Sequence, residues 1–90
     1  MAGVSVFTMF YFYIIHSPAK DKFYIGQTGD VQQRLMQHRI RKNLGADDWQ
    51  LVYSQEFSSR AEAMQQERLV KAKKSRRFIL DLILNQESET

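Results

Sequence analysis

Glu67 lies in a stretch where three- and four-residue spacing brings Ala63, Met64, Val70 and Lys71 to one side of a helix, so a carboxylate enters an otherwise inward face. The spacing also has a plainer meaning: Glu67 precedes Lys71 by one helical turn, the order that favours an ion pair worth about 0.2–0.5 kcal/mol. Arg34 and His38 form a second pair one turn apart. A guanidinium offers phosphate oxygens a planar fork of donors, and an imidazole can donate to phosphate or pass a proton near neutral pH. A solvated helix edge is the bland reading of that pair. Tyr11, Tyr13, Tyr24 and Tyr53 complete the set. Tyr11 and Tyr13 share one face of a strand, and Tyr24 joins them across a hairpin if the register allows, although core rings with hydroxyls at the rim would have the same pattern. A phenol, with an ordinary pKa of about 10, serves as a base only where positive charge stabilises its anion.

The elements that must position these groups follow from local pattern. Residues 7–16 are apolar nearly throughout, as in a strand covered on both faces, and so belong at the centre of a sheet. "SPAKDK" is a polar turn and "FYIGQT" a second strand, which together make an antiparallel hairpin. Gly26 permits close approach of a ligand or of the chain's own helix. His16 reads as a partly buried histidine satisfied by a backbone partner. Asp30 is an N-cap with Gln33 completing a capping box, and Val31, Leu35 and Ile40 give an inward stripe to a helix ending near Lys42. "NLGADD" interrupts, and "WQLVYSQEF" is a third strand with Trp49, Leu51, Tyr53 and Phe57 at alternate positions. Ser59 with Glu62 repeats the capping signal for a helix running into the lysine cluster. Phe78, Ile79, Leu82 and Ile83 predict one more helix, with "ESET" a frayed tail. The order β-β-α-β-α-α predicts an α/β fold in which helices flank a small three-stranded antiparallel sheet.

A chain of 90 residues supports one core, hence one domain over 1–90, with 1–6 and 86–90 expected to be flexible. Without cysteine it has neither disulfides nor thiolate metal sites, which fits a reducing, cytoplasmic setting. The apolar N-terminal run has no charge before it, is interrupted by Ser5 and Thr8, and is too short to span a bilayer as a helix, so no membrane association is expected. The net charge of +3 conceals a strong asymmetry. Arg34, Arg39, Arg41 and Lys42 fall in one segment, and Arg68, Lys71, Lys73, Lys74, Arg76 and Arg77 in another. Facing the same way they form a surface for a phosphate backbone; facing apart they are two solvated helix faces.

From Phe10 to about Ile83 the sequence resembles the GIY-YIG nuclease domain, in particular its small stand-alone bacterial members. Tyr24, Ile25 and Gly26 are the second half of the name, and Tyr11, Phe12 and Tyr13 correspond to the first, with the family's usual separation between Tyr13 and Tyr24. Arg34, His38 and Glu67 match the family's helix arginine, the His or Tyr one turn on, and the metal-binding glutamate. Tyr11 replaces the first motif's glycine. The family's polar residue after the metal helix, often Asn, has no clear counterpart; Ser75 or a residue of "KKSRR" is the substitute the sequence offers.

The resemblance implies hydrolysis of DNA phosphodiesters with one cation, Mg²⁺ or Mn²⁺, held directly by Glu67 alone. It also implies Tyr13 activating water, Tyr24 positioning water or phosphate, Arg34 neutralising the phosphate and lowering the phenol pKa values, and His38 orienting a tyrosine or relaying its proton. Arg39, Arg41, Lys42, Lys71, Lys73, Lys74, Arg76 and Arg77 would contact the nucleic-acid backbone. Structure-directed or weakly specific cleavage, in DNA repair or recombination, is the expected use, alone, as a homodimer or with a partner protein. The alternatives are a DNA-binding module of the same fold with weak or lost catalysis, and a protein-interaction domain whose basic helices meet an acidic partner.

Overall fold

Strand β1 (Phe10–Ser17) is apolar throughout because both of its faces are covered: Phe12, Ile14 and Ile15 are wholly buried and Tyr13 nearly so. The computed structural model describes residues 9–41 and 45–88, so Lys42 and the segment 1–6 lie outside the described residues. β2 (Lys22–Thr28) and β3 (Gln50–Phe57) both pair antiparallel with β1, giving the order β2-β1-β3. The expected hairpin, central strand and fold class are all present. Among the described residues no helix is long and apolar enough to cross a membrane.

Helix α1 (Val31–Arg41) lies on the face that carries Tyr13 and Ile15, where Leu35, Ala46 and Trp49 complete a cluster. Helices α2 (Arg60–Lys73) and α3 (Arg76–Ser88) cover the opposite face, where Val70, Phe78, Ile79 and Leu82 pack on Phe12, Ile14 and Ile25. Two features depart from expectation. Ile14 pairs with Tyr53 but Ile15 with Leu51, so Val52 is an extra residue in β3, a β-bulge. The bulge switches the side-chain alternation: Leu51 joins the α1 face, whereas Val52, Tyr53 and Phe57 all pack towards α2 and α3. In α1, Ile40 is 72% exposed while His38 is 3% exposed, because positions 31, 35 and 38 continue one stripe and position 40 falls off it.

The caps form much as the local chemistry demands. Asp30 Oδ1 accepts the Gln33 N–H at 3.0 Å, and the Asp30 N–H is met by Thr28 Oγ1 at 3.1 Å. Ser59 Oγ accepts the Glu62 N–H at 3.2 Å, while the Glu62 carboxylate returns to the hydroxyls of Ser58 and Ser59. Lys74 ends α2 in the left-handed conformation (φ 48°), and Ser75 Oγ caps α3 by accepting the Phe78 N–H at 3.1 Å. α3 continues to Ser88, further than the frayed tail read from the sequence, and Gln86 Nε2 donates to the Ser54 carbonyl of β3 at 2.9 Å.

The loop that returns the chain from α1 to β3 is tied down by Asp48. Ser17 Oγ, fully buried, donates to Asp48 Oδ1 at 2.6 Å, and the Ala19 N–H donates to Oδ2 at 2.8 Å. Both bonds favour the ionised form and hold the Asp48 carboxyl below its ordinary pKa. A carboxyl depressed by folding contributes stability above its unfolded pKa and loses that contribution as the pH falls through the folded value. Asp48→Ala should therefore lower the urea midpoint at neutral pH, and the gap from the parent should close in strong acid, measured by circular dichroism across a pH series.

Candidate active site

The hairpin register sets the site. Tyr13 pairs with Gly26 and Ile15 with Tyr24, so the two tyrosines share the α1 face of the sheet, two positions apart across the ladder. The Tyr13 ring lies directly over Gly26: a Cβ there would meet Tyr13 Oη at 2.6 Å and Cζ at 2.7 Å, closer than carbon atoms pack. The close approach expected at Gly26 is thus made by the protein's own tyrosine. The ring centroids of Tyr13 and Tyr24 are 6.5 Å apart.

His38 reaches this pair from α1. Its Nε2 is 3.3 Å from Tyr13 Oη, and its ring lies 5.0 Å from that of Tyr24 and 6.5 Å from Trp49. Burial first, and the charge of Arg34 second, push the imidazole below its ordinary pKa, which favours the neutral ring. Among the described residues Nδ1 has no hydrogen-bond partner. Arg34, one turn earlier, is within hydrogen-bonding and charge range of both phenols, which raises its own pKa, and its Nη1 donates to Gln37 Oε1 at 3.3 Å.

Arg34 acts on Tyr13 in the expected direction, but burial is larger. The net effect raises the Tyr13 phenol above its ordinary value, with small additions from Tyr24 and Glu67. The expectation of a phenol pKa lowered by arginine is therefore corrected: on a residue only 2% exposed, the phenol loses more from desolvation of its anion than one guanidinium restores. In this state Tyr13 is a neutral phenol beside a neutral imidazole.

Glu67 comes from the helix on the other face and lies within charge range of Tyr13. It lies between buried Ala63 and Val70 on α2 with its side chain 23% exposed. Lys71 Nζ bonds Glu67 Oε2 at 2.7 Å and stands 6.0 Å from the Tyr24 ring centroid. The ion pair expected from spacing alone and the approach to the tyrosines therefore coexist. Among the described residues no group of three or more His, Cys, Asp or Glu is arranged to hold a metal, so a cation on Glu67 would find at most one further such side chain and would draw the rest of its shell from water and substrate. That donor set suits Mg²⁺, which keeps several waters and takes phosphate oxygens to complete its shell.

The basic residues divide by what already holds them. Arg39 Nε donates to the Trp49 carbonyl at 2.8 Å, and Arg76 bonds Asp21 through Oδ1 at 2.7 Å and through its carbonyl at 3.3 Å. Lys73 stands 5.5 Å over the Phe78 ring. Arg41, Lys74 and Arg77 are exposed. His16 differs from expectation: its Nε2 meets the Asp21 side chain at 3.1 Å, so it belongs to the Asp21–Arg76 network. Ser75 is occupied as a cap. Trp49, which walls His38, carried no signal beyond strand alternation.

Because the Tyr13 ring occupies the space of a side chain at position 26, Gly26→Ala should overpack the site, lowering stability by about 1–3 kcal/mol and displacing the phenol from His38. Urea denaturation measures the loss, and combining Gly26→Ala with Tyr13→Leu should recover much of it.

No curated protein and no solved structure matches the chain. A family model does: the GIY-YIG catalytic domain, over residues 9–78 of the 90. That span runs from the start of β1 into α3 and takes in Tyr13, Tyr24, Arg34, His38 and Glu67. The chain belongs to the GIY-YIG catalytic domain family, a family of nucleases.

Proposed function

We propose that this chain is a metal-dependent endonuclease that hydrolyses DNA phosphodiesters, directed by DNA structure or weakly by sequence, in repair or recombination. One observation carries the reading: Arg34 and His38 come to the Tyr13 hydroxyl beside the Tyr24 ring, with the Glu67 carboxylate within charge range of that hydroxyl. A domain that only binds DNA has no use for a carboxylate facing phosphates.

Tyr13 is the base. Its hydroxyl proton passes to His38 Nε2, and the phenoxide takes a proton from the attacking water as the new O–P bond forms and the P–O3′ bond breaks. Arg34 binds the scissile phosphate and limits the cost of the Tyr13 anion, and Tyr24 orients the water or the phosphate. A divalent cation on Glu67, when bound, supplies a Lewis acid for the charge developing on the leaving 3′ oxygen. Lys71 releases Glu67 and turns to a phosphate. Cutting both strands with one such site requires a homodimer or two encounters.

Plasmid, branched and flap DNA incubated with Mg²⁺ test the reading. Tyr13→Phe should lower the rate by about 10²- to 10⁴-fold and Glu67→Ala should reduce it comparably; activity that survives both removes the assignment. Since His38 must be neutral to take the Tyr13 proton and titrates below its ordinary value of 6.5, while Tyr13 titrates above 10.0, the rate should rise as His38 loses its proton in mild acid and then stay level through neutral and mildly alkaline pH. Arg34→Ala should shift that rise further upward. In Mn²⁺ titrations without DNA, Lys71→Gln should tighten binding about 2- to 5-fold by removing the competing ammonium, and Glu67→Gln should abolish it.

A further inference from the structure

Beside the tyrosine and glutamate cluster lies a groove of about 470 Å³, between the outer edge of β2, the end of α2 and the start of α3. Phe23, Val70 and Ile79 contribute an apolar floor, and Lys22, Lys71, Lys74 and Arg76 stand around it, against one carboxylate, Asp21. Tyr24 and Lys71 border both the groove and the catalytic cluster, so the two are continuous. We propose that this groove binds an unpaired nucleotide of the strand being cut, next to the scissile phosphate, with the base on the apolar floor and its phosphate among Lys22, Lys74 and Arg76. The inference rests on the nuclease reading and names its substrate class: DNA with a single-stranded arm at the cleavage point.

Shape and charge select this occupant. A duplex presents phosphates and base edges, which would leave the apolar floor wet, whereas an unpaired base offers a flat apolar face that can lie against Ile79 and the plane of the Arg76 guanidinium, the Phe23 ring itself being already packed by Arg76 at 4.9 Å and by the His16 ring at 4.7 Å. The cations select a polyanion. Among the described residues neither Lys22 nor Lys74 takes part in an ion pair, so both ammonium groups are available. Arg76 is fixed in place, its guanidinium 4.9 Å over the Phe23 ring and bonded to Asp21, which gives the groove a rigid end.

Lys74 adds an independent argument. It occupies the left-handed C-cap of α2 at φ 48°, ψ 41°, where glycine is the residue of lowest strain. A lysine at that position costs stability relative to glycine, and Lys74 lines the groove.

Binding is measured by fluorescence anisotropy in EDTA at low salt, comparing a blunt duplex with the same duplex carrying a six-thymidine arm. The parent should bind the armed duplex roughly tenfold more tightly. Lys74→Gly should raise the urea midpoint yet cut that preference, and Lys22→Glu with Lys74→Glu should abolish it; 2-aminopurine at the first unpaired position should change its emission on binding to the parent alone. Equal affinity for blunt and armed duplex, or a preference untouched by the double variant, overturns the proposal. So does a glutamate-rich peptide displacing the arm at equal charge concentration, which would mark the groove as a protein-binding site. The assay needs no cleavage: arm preference without Mg²⁺-dependent cutting leaves the groove standing and removes the nuclease reading, and cutting that is indifferent to the arm does the reverse.

Discussion

The site depends on one steric relation, the Tyr13 ring laid across the bare Cα of Gly26. The central strand needs a large buried side chain at Tyr13 to fill the α1 face, and the edge strand opposite must give way for it. With any side chain at position 26 the ring would have to rotate out, and the hydroxyl would leave His38. Because the neighbour is glycine, the ring both packs and carries its hydroxyl to the strand edge. The second half of the family's three-letter motif is therefore, in this molecule, a packing requirement of the first.

Burial and charge compete around that hydroxyl. Arg34 and His38 come from the same helix and are a turn apart, yet they act differently: the guanidinium stays largely in solvent and favours the phenoxide, while the imidazole is buried and held neutral. Desolvation outweighs the guanidinium, so the reactive form of Tyr13 is costly in the resting protein.

Much of this was legible because the deciding chemistry is local. Asp30 and Ser59 announce the starts of α1 and α2, the apolar run announces a central strand, and Tyr13, Tyr24, Arg34, His38 and Glu67 carry the family pattern in order. What escaped depends on tertiary facts. Alternation from Trp49 to Phe57 looks regular until Val52 bulges out of it; spacing cannot show that His38 rather than Ile40 turns inward. Arg76 and Asp21 are 55 positions apart, and nothing in a charge cluster distinguishes an arginine held by its own turn from one free to meet a phosphate.

A sheet of three strands has two borders, and this one treats them differently. At β2 the border is occupied by Tyr24, Lys71 and the groove. At β3 the last turns of α3 lean over the strand, and Gln86 takes up the Ser54 carbonyl that another molecule's backbone could otherwise engage. The end of α3 thus has a protective task separate from the tyrosine cluster: shortening it would leave that cluster in place while exposing a template for intermolecular strand pairing, so that loss of colloidal solubility would precede loss of the fold.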